Sequence, residues 1–256
     1  MQKIAKIGVQ LYTIREFTTT EQDIRESFRK IKALGYDQAQ TAGCKISYEL
    51  FGQIARDEGI EIVGTHDNFE EMCDDFETSL KKHQFLGTNI MGIGGCPIYD
   101  LKGYEEFFRK ANEIGEKLIP YGGKFTYHNH HYEFTKLENG KTAMQHLMDN
   151  LNPKTTSFVL DTHWVQRGGG DVCAWIKKLS GRIDILHLKD FMMERRGKDF
   201  QPMYCEIGNG NMNWDGIIEA AFEAGVRYYV VEQDSCPGDP FKSLEISSEF
   251  LHKHYM

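Results

Sequence analysis

A (β/α)8 barrel is the fold this chain predicts, and three observations predict it. Short β-rich runs alternate with amphipathic helical stretches eight times, which implies βα units around a parallel sheet. Glycine turns recur where a helix hands over to a strand, at Leu34-Gly35-Tyr36, Glu58-Gly59-Ile60, Leu86-Gly87-Thr88, Tyr121-Gly122-Gly123 and Ala224-Gly225-Val226; glycine accepts the left-handed conformation that ends a helix. Four strand candidates end in polar, metal-binding residue types: Tyr127-His128-Asn129-His130, Leu160-Asp161-Thr162-His163, Leu186-His187-Leu188-Lys189 and Val231-Glu232-Gln233-Asp234. In such a barrel that rim is where the active site is built. The 256 residues match the roughly 250 of one barrel, so 1–256 reads as a single domain.

In chain order, the run at 4–12 reads as the first strand, and Gly35 ends a helix over 21–34. Strand 36–41 and helix 48–57 follow, the latter closed by Gly59, then strand 60–66 and helix 68–85 before Gly87. Strand 89–94 leads to helix 104–119, and Gly122-Gly123 opens strand 124–130, with helix 142–150 after it. The pattern continues with strand 157–161, helix 172–179 and strand 183–187. The longest irregular stretch, 191–213, comes next and carries Glu206-Ile207-Gly208-Asn209-Gly210; loops on that rim shape the pocket. Helix 214–224, strand 228–232 and helix 240–254 complete the chain. An open doubly wound sheet would want a glycine-rich phosphate turn after the first strand. Gln10-Leu11-Tyr12-Thr13-Ile14-Arg15 is not one, and Gly168-Gly169-Gly170 has no G-x-G-x-x-G frame, which disfavours a nucleotide cofactor.

Composition narrows the function classes. A formal net charge of -8 repels polyphosphate, so nucleic acid is a poor partner and a small, neutral or weakly charged substrate fits better. Met1-Gln2-Lys3-Ile4-Ala5-Lys6-Ile7 runs straight into a strand pattern with no signal-peptide core, and no stretch approaches the ~20 apolar residues of a membrane span. A cytoplasmic protein without a membrane partner is expected. Six cysteines with no C-x-x-C pair read as reduced thiols.

Alternate strand residues share a face, which groups His128 with His130, Asp161 with His163, His187 with Lys189 and Glu232 with Asp234. If those faces point inward, the mouth holds carboxylates and imidazoles, a donor set suited to catalytic Zn, Mn, Co or Fe(II). Any one of these histidines is explained as well by capping a strand or helix; four strands in succession is a much rarer coincidence. Other rim residues are expected to meet substrate. His66 reads equally as a hydroxyl partner or as a helix cap before Asp67-Asn68. Lys189 reads as an oxyanion or phosphate ligand, or as the partner of Asp190 or Glu206. Trp164 offers a flat aromatic wall rather than a catalytic group, and His163 and Glu206 complete the expected contacts. Tyr12 and Gln10 share a first-strand face, although core packing explains Tyr12 equally well. Lys189 with Arg195-Arg196 forms a basic cluster, which is usually a solvated loop, and Met192-Met193 reads as loop packing or an oligomer contact.

Together these motifs resemble the xylose-isomerase-like barrel superfamily. They are Gly8-Val9-Gln10-Leu11-Tyr12-Thr13-Ile14-Arg15, Tyr127-His128-Asn129-His130-His131-Tyr132-Glu133-Phe134, Leu160-Asp161-Thr162-His163-Trp164-Val165, His187-Leu188-Lys189-Asp190, and Val231-Glu232-Gln233-Asp234 with Pro237-Gly238-Asp239-Pro240. The resemblance is to its sugar phosphate isomerase/epimerase branch, which is also similar to inosose dehydratases and C-glycoside deglycosidase catalytic subunits. It implies a divalent ion, Mn2+ first, with Zn2+, Co2+, Fe2+ or Mg2+ as alternatives. Asp161, His187 and Glu232 are then ligands, with His128 where the family carries a carboxylate and Glu133 as a nearby substitute. It further implies paired acid and base, Glu232 with His128 or His130, acting on a monosaccharide, sugar phosphate, keto-sugar or cyclitol by isomerisation, epimerisation or β-elimination. An endonuclease IV-like activity, which the net charge opposes, and a non-catalytic sugar-binding module are the competing expectations. The resemblance to C-glycoside deglycosidases implies a small partner subunit as one assembly, with a homo-oligomer as the other.

Overall fold

A computed structural model describes residues 2–256; Met1, where the N-terminal reading begins, lies outside them. Eight parallel strands form the barrel: β1 Ile7–Gln10, β2 Gln38–Thr41, β3 Glu61–Thr65, β4 Ile90–Ile93, β5 Lys124–His128, β6 Thr156–Asp161, β7 Ile183–Leu188 and, after a hairpin of β8 Met192–Arg196 and β9 Asp199–Met203, β10 Tyr228–Val231. Hydrogen-bonded neighbours run β3-β2-β1-β10-β7-β6-β5-β4, so seven seams are laddered. The eighth, between β3 and β4, is bridged by Asp67 N to Gly92 O at 2.9 Å and Gly92 N to Thr65 Oγ1 at 3.2 Å. No side chain fits at Gly92, where a Cβ would lie 2.4 Å from Thr65 O.

Among the described residues, ten helices surround the strands: α1 Glu21–Ala33, α2 Tyr48–Asp57, α3 Phe69–Asp74, α4 Phe76–Leu86, α5 Leu101–Leu118, α6 Ala143–Asn150, α7 Thr162–Arg167, α8 Val172–Lys178, α9 Trp214–Glu223 and α10 Pro240–His254. Side-chain oxygens cap their first turns, as with the Thr20–Asp23 capping box of α1.

The larger core lies between strands and helices and includes Phe28, Phe51, Phe125, Phe158 and Leu186. A second, smaller core consists of strand residues alone, Val63, Ile90, Val159, Ile185 and Val230. Two positions beyond the last three stand Asp161, His187 and Glu232, so the same inward face changes from apolar to ionisable at the rim.

Four expectations are corrected. The helix expected over 68–85 is two helices, because Asp75 (φ -140°, ψ 80°) leaves helical geometry and caps Thr78 N. The first strand stops at Gln10, whose side chain accepts from Tyr12 N and starts a 3₁₀ turn, Leu11–Phe17; Tyr12 therefore shares no strand face with Gln10. Asp161 caps α7, an unforeseen helix that removes His163 from the strand. The stretch 191–213 is not wholly irregular, since it contains the β8–β9 hairpin. All six cysteines are free, and among the described residues no helix is long and apolar enough to cross a membrane.

Candidate metal centre

Asp161, His187, Glu232 and His128 meet at the mouth, each buried and offering one ligand atom, all within 4.8 Å of one another. Strand register accounts for this: Asp161 pairs with His187, and His128 with Val159. Asp161 divides its carboxylate, Oδ1 accepting from Trp164 N at 2.9 Å as the α7 cap while Oδ2 faces His128 Nε2 at 3.4 Å and His187 Nδ1 at 3.6 Å. Glu232 Oε2 lies 3.0 Å from His187 Nδ1.

The histidines are oriented from behind. His187 Nε2 lies 2.5 Å from Gln40 Oε1, which also accepts from Gln10 Nε2. The carbonyl oxygen can only accept, so Nε2 carries the proton and Nδ1 turns its lone pair to the cluster. His128 repeats the arrangement with Nδ1 against Gly94 O at 3.3 Å, leaving Nε2 inward. Metal-binding imidazoles are typically held this way. Burial opposes charge on His187, but Glu232 and Asp161 outweigh it and lift its pKa to about 9. Yet Nδ1 makes no well-formed hydrogen bond despite its short distance to Glu232. The close contact is a charge contact, and a proton and a cation compete for that lone pair. Two imidazoles and two carboxylates fit a divalent transition-metal ion.

A cavity of about 350 Å³ opens over the cluster, lined in part by Tyr12, His66, Asp67, His130, Trp164 and Lys189. Lys189 is fully buried, with Nζ 2.5 Å from Asp234, 3.2 Å from Glu232 and 3.5 Å from Asp161. Burial works against its charge, and these carboxylates more than restore it. Burial likewise raises the Glu232 carboxyl, but Lys189 and His187 outweigh this and hold it far below the usual carboxylate range. His130 lies beside His128, ring centroids 4.8 Å apart, with its pKa lowered to about 3 by burial and by His128.

Of the rim residues expected from sequence, His128, His130, Asp161, His187, Glu232, Tyr12, His66, Trp164 and Lys189 are gathered here. His163 and Glu206 are not in the cavity lining. The first is buried against Asp190 O and the Tyr204 ring; the second accepts from Ser243 Oγ at 2.7 Å. Asn68, not His66, caps α3. Glu133 is turned from the cluster, accepting from Tyr127 Oη and His130 N. Lys189 pairs with neither Asp190 nor Glu206, and Arg195 and Arg196 lie apart from it on the exposed hairpin. Asp190 instead gathers Phe191 N, Gly208 N, Gly210 N, Met212 N and Trp214 Nε1, fastening the long loop. Sequence reading missed Gln40, Asp67 and Tyr204; only the first two had a signal, each standing at or just beyond a strand end.

Residues 16–254 match the model of the xylose isomerase-like TIM barrel family. An inosose dehydratase of Lactiplantibacillus plantarum is 24% identical over 172 residues, covering 62% of this chain, which spans only 56% of that relative's length. A sugar phosphate isomerase/epimerase from Parabacteroides distasonis superposes with TM-score 0.80 at 23% identity, covering 99% of this chain and 95% of that one. The probable 3-DHS dehydratase AsbF of Bacillus anthracis superposes at 0.74 with 14% identity, covering 97% and 99%. At these identities the structural likenesses establish the fold.

Proposed function

The chain belongs to the xylose isomerase-like TIM barrel family, and from that premise we propose that it is a divalent-metal-dependent enzyme that removes a proton beside the carbonyl of a sugar or cyclitol. The carrying observation is the pair of imidazoles, His128 and His187, each tied by one nitrogen to a carbonyl oxygen and directed by the other at Asp161 and Glu232. These four residues would hold the ion, Mn2+ being our first choice. When bound, it would supply Lewis-acid stabilisation of the negative charge that proton removal places on the carbonyl oxygen.

The chain's own groups do the rest. Glu232 and His130 stand on the cavity wall as acid–base candidates, His130 neutral with Nδ1 free of any partner. One takes the proton from carbon and the electron pair moves onto the carbonyl oxygen. Return of a proton to the opposite face gives an epimer; return to the neighbouring carbon, with the hydroxyl proton there passing to the former carbonyl oxygen, gives an isomer. Lys189, fixed by its carboxylates, presents an ammonium to a substrate oxygen, and Trp164 walls the ring. A second outcome, loss of a β-hydroxyl as water after the same proton removal, is favoured by the inosose dehydratase relatives.

Metal analysis by plasma mass spectrometry on wild type, Asp161→Ala and His128→Ala, with solvent-deuterium exchange into inosose and ketose probes followed by NMR, tests the reading. Near-stoichiometric metal that falls in both variants, with exchange in wild type, is expected. Absence of metal after reloading with Mn2+, Co2+ and Zn2+ refutes it.

A further inference from the structure

The mouth cavity presents several buried polar atoms with no partner: His66 Nε2, Asp67 Oδ2, His130 Nδ1 and Trp164 Nε1. Buried polar groups are ordinarily paired, so four in one cavity describe what its ligand must offer.

Asp67 is the informative member. Its Oδ1 accepts from Tyr48 Oη at 2.6 Å. Behind it, His83 Nδ1 faces Ser79 O at 2.6 Å, so Nδ1 carries the proton and Nε2 a lone pair. The Thr65 hydroxyl, already accepting from Gly92 N, donates to that lone pair at 2.7 Å. His83 Nε2 lies 3.3 Å from Asp67 Oδ2 but has no proton to give it. The free oxygen of Asp67 therefore needs a donor from the cavity, and a hydroxyl is one.

Charge points the same way. Among the described residues, Lys189 is the one Lys or Arg in the lining, and three carboxylates already hold it. Arg15 lies outside the lining, its Nη1 donating to the carbonyls of Tyr12 and Asp234. Even a divalent cation together with Lys189 sets three positive charges against four carboxylates, Asp67, Asp161, Glu232 and Asp234. Within the lining, a phosphate dianion therefore finds no cation whose charge is not already balanced by carboxylates, Arg15 and Arg167 both lying outside it.

We propose that Asp67 is a specificity-determining residue that accepts a substrate hydroxyl, and that the site takes uncharged polyhydroxy carbonyl compounds and rejects their phosphate esters. This rests on the metal-dependent reading above, but its test is separate. Mn2+-loaded protein is titrated calorimetrically with 2-inosose, D-fructose, D-xylulose and L-ribulose and with the phosphate esters of the three ketoses, metal content being measured independently. The expected result is binding of at least one uncharged probe and of no ester more tightly than its parent. Asp67→Ala removes the acceptor and should weaken that binding by about tenfold or more at unchanged metal content. Tyr48→Phe, which leaves the carboxylate in place without its anchor, should weaken it less. An ester that outbinds its parent, failure of every uncharged probe with metal bound, or Asp67→Ala binding at wild-type strength overturns the proposal. Loss of metal from the wild type would instead strike the reading beneath it.

Discussion

Gln40 touches no ligand atom of the cluster's inner face, yet its replacement is the sharpest test of how the centre is built. Its Oε1 holds the His187 Nε2 proton at 2.5 Å and in turn accepts from Gln10 Nε2 at 3.1 Å. Gln40→Leu keeps the approximate volume at a fully buried position while removing the acceptor. The imidazole then loses the partner that selects its tautomer, and Nε2–H is left buried and unpaired. Loss of an outer hydrogen bond to a metal-bound histidine costs about 10- to 100-fold in affinity, or about 1.4 to 2.7 kcal/mol. Mn2+ titration monitored by electron paramagnetic resonance at fixed pH measures it directly. Gln40→Glu supplies a stronger acceptor in the same place and should retain affinity at or above wild type. A Gln40→Leu protein that binds Mn2+ as tightly as wild type would refute the argument that the carbonyl oxygen orients the ligand.

Three further predictions concern the scaffold. Ile185→Ala hollows the inner core directly beneath His187 and should lower stability by about 2 to 5 kcal/mol; a denaturant midpoint unchanged from wild type would contradict the core assignment. Asp190→Ala strands five donors at once, so limited proteolysis should cut within 191–213 well before the barrel unfolds, and equal protease resistance would speak against the hub. Burial raises the Glu133 pKa to about 7, against the pull of Tyr127 and the His130 amide. The folded chain then holds a proton that the unfolded chain has released between about pH 4.5 and 7, so this group's contribution falls as pH rises, by roughly 3 kcal/mol across the window. Comparison of stability against pH for wild type and Glu133→Gln isolates it; parallel profiles would show that Glu133 titrates normally.

The barrel was legible because β-rich runs, amphipathic helical stretches and glycine-ended helices are local signals, and the centre because its ligands stand at the ends of strands whose order in sequence is their order in space. Legibility failed where a residue served two elements. Asp161 is the last residue of β6 and also the cap of α7, so the two-residue period stops there and His163 turns into the helix and away from the cavity. After β7 and β10 no helix starts at once, and Lys189 and Asp234 do follow His187 and Glu232 into the cavity lining, where they meet at 2.5 Å. Alternation therefore holds past a strand end only where no side chain caps a new helix. The Asp161 carboxylate, with one oxygen for the cap and one for the cluster, shows why the rule and its exception meet in one residue: the bond from Oδ1 to Trp164 N that misdirected His163 is the same one that aims Oδ2 at both histidines.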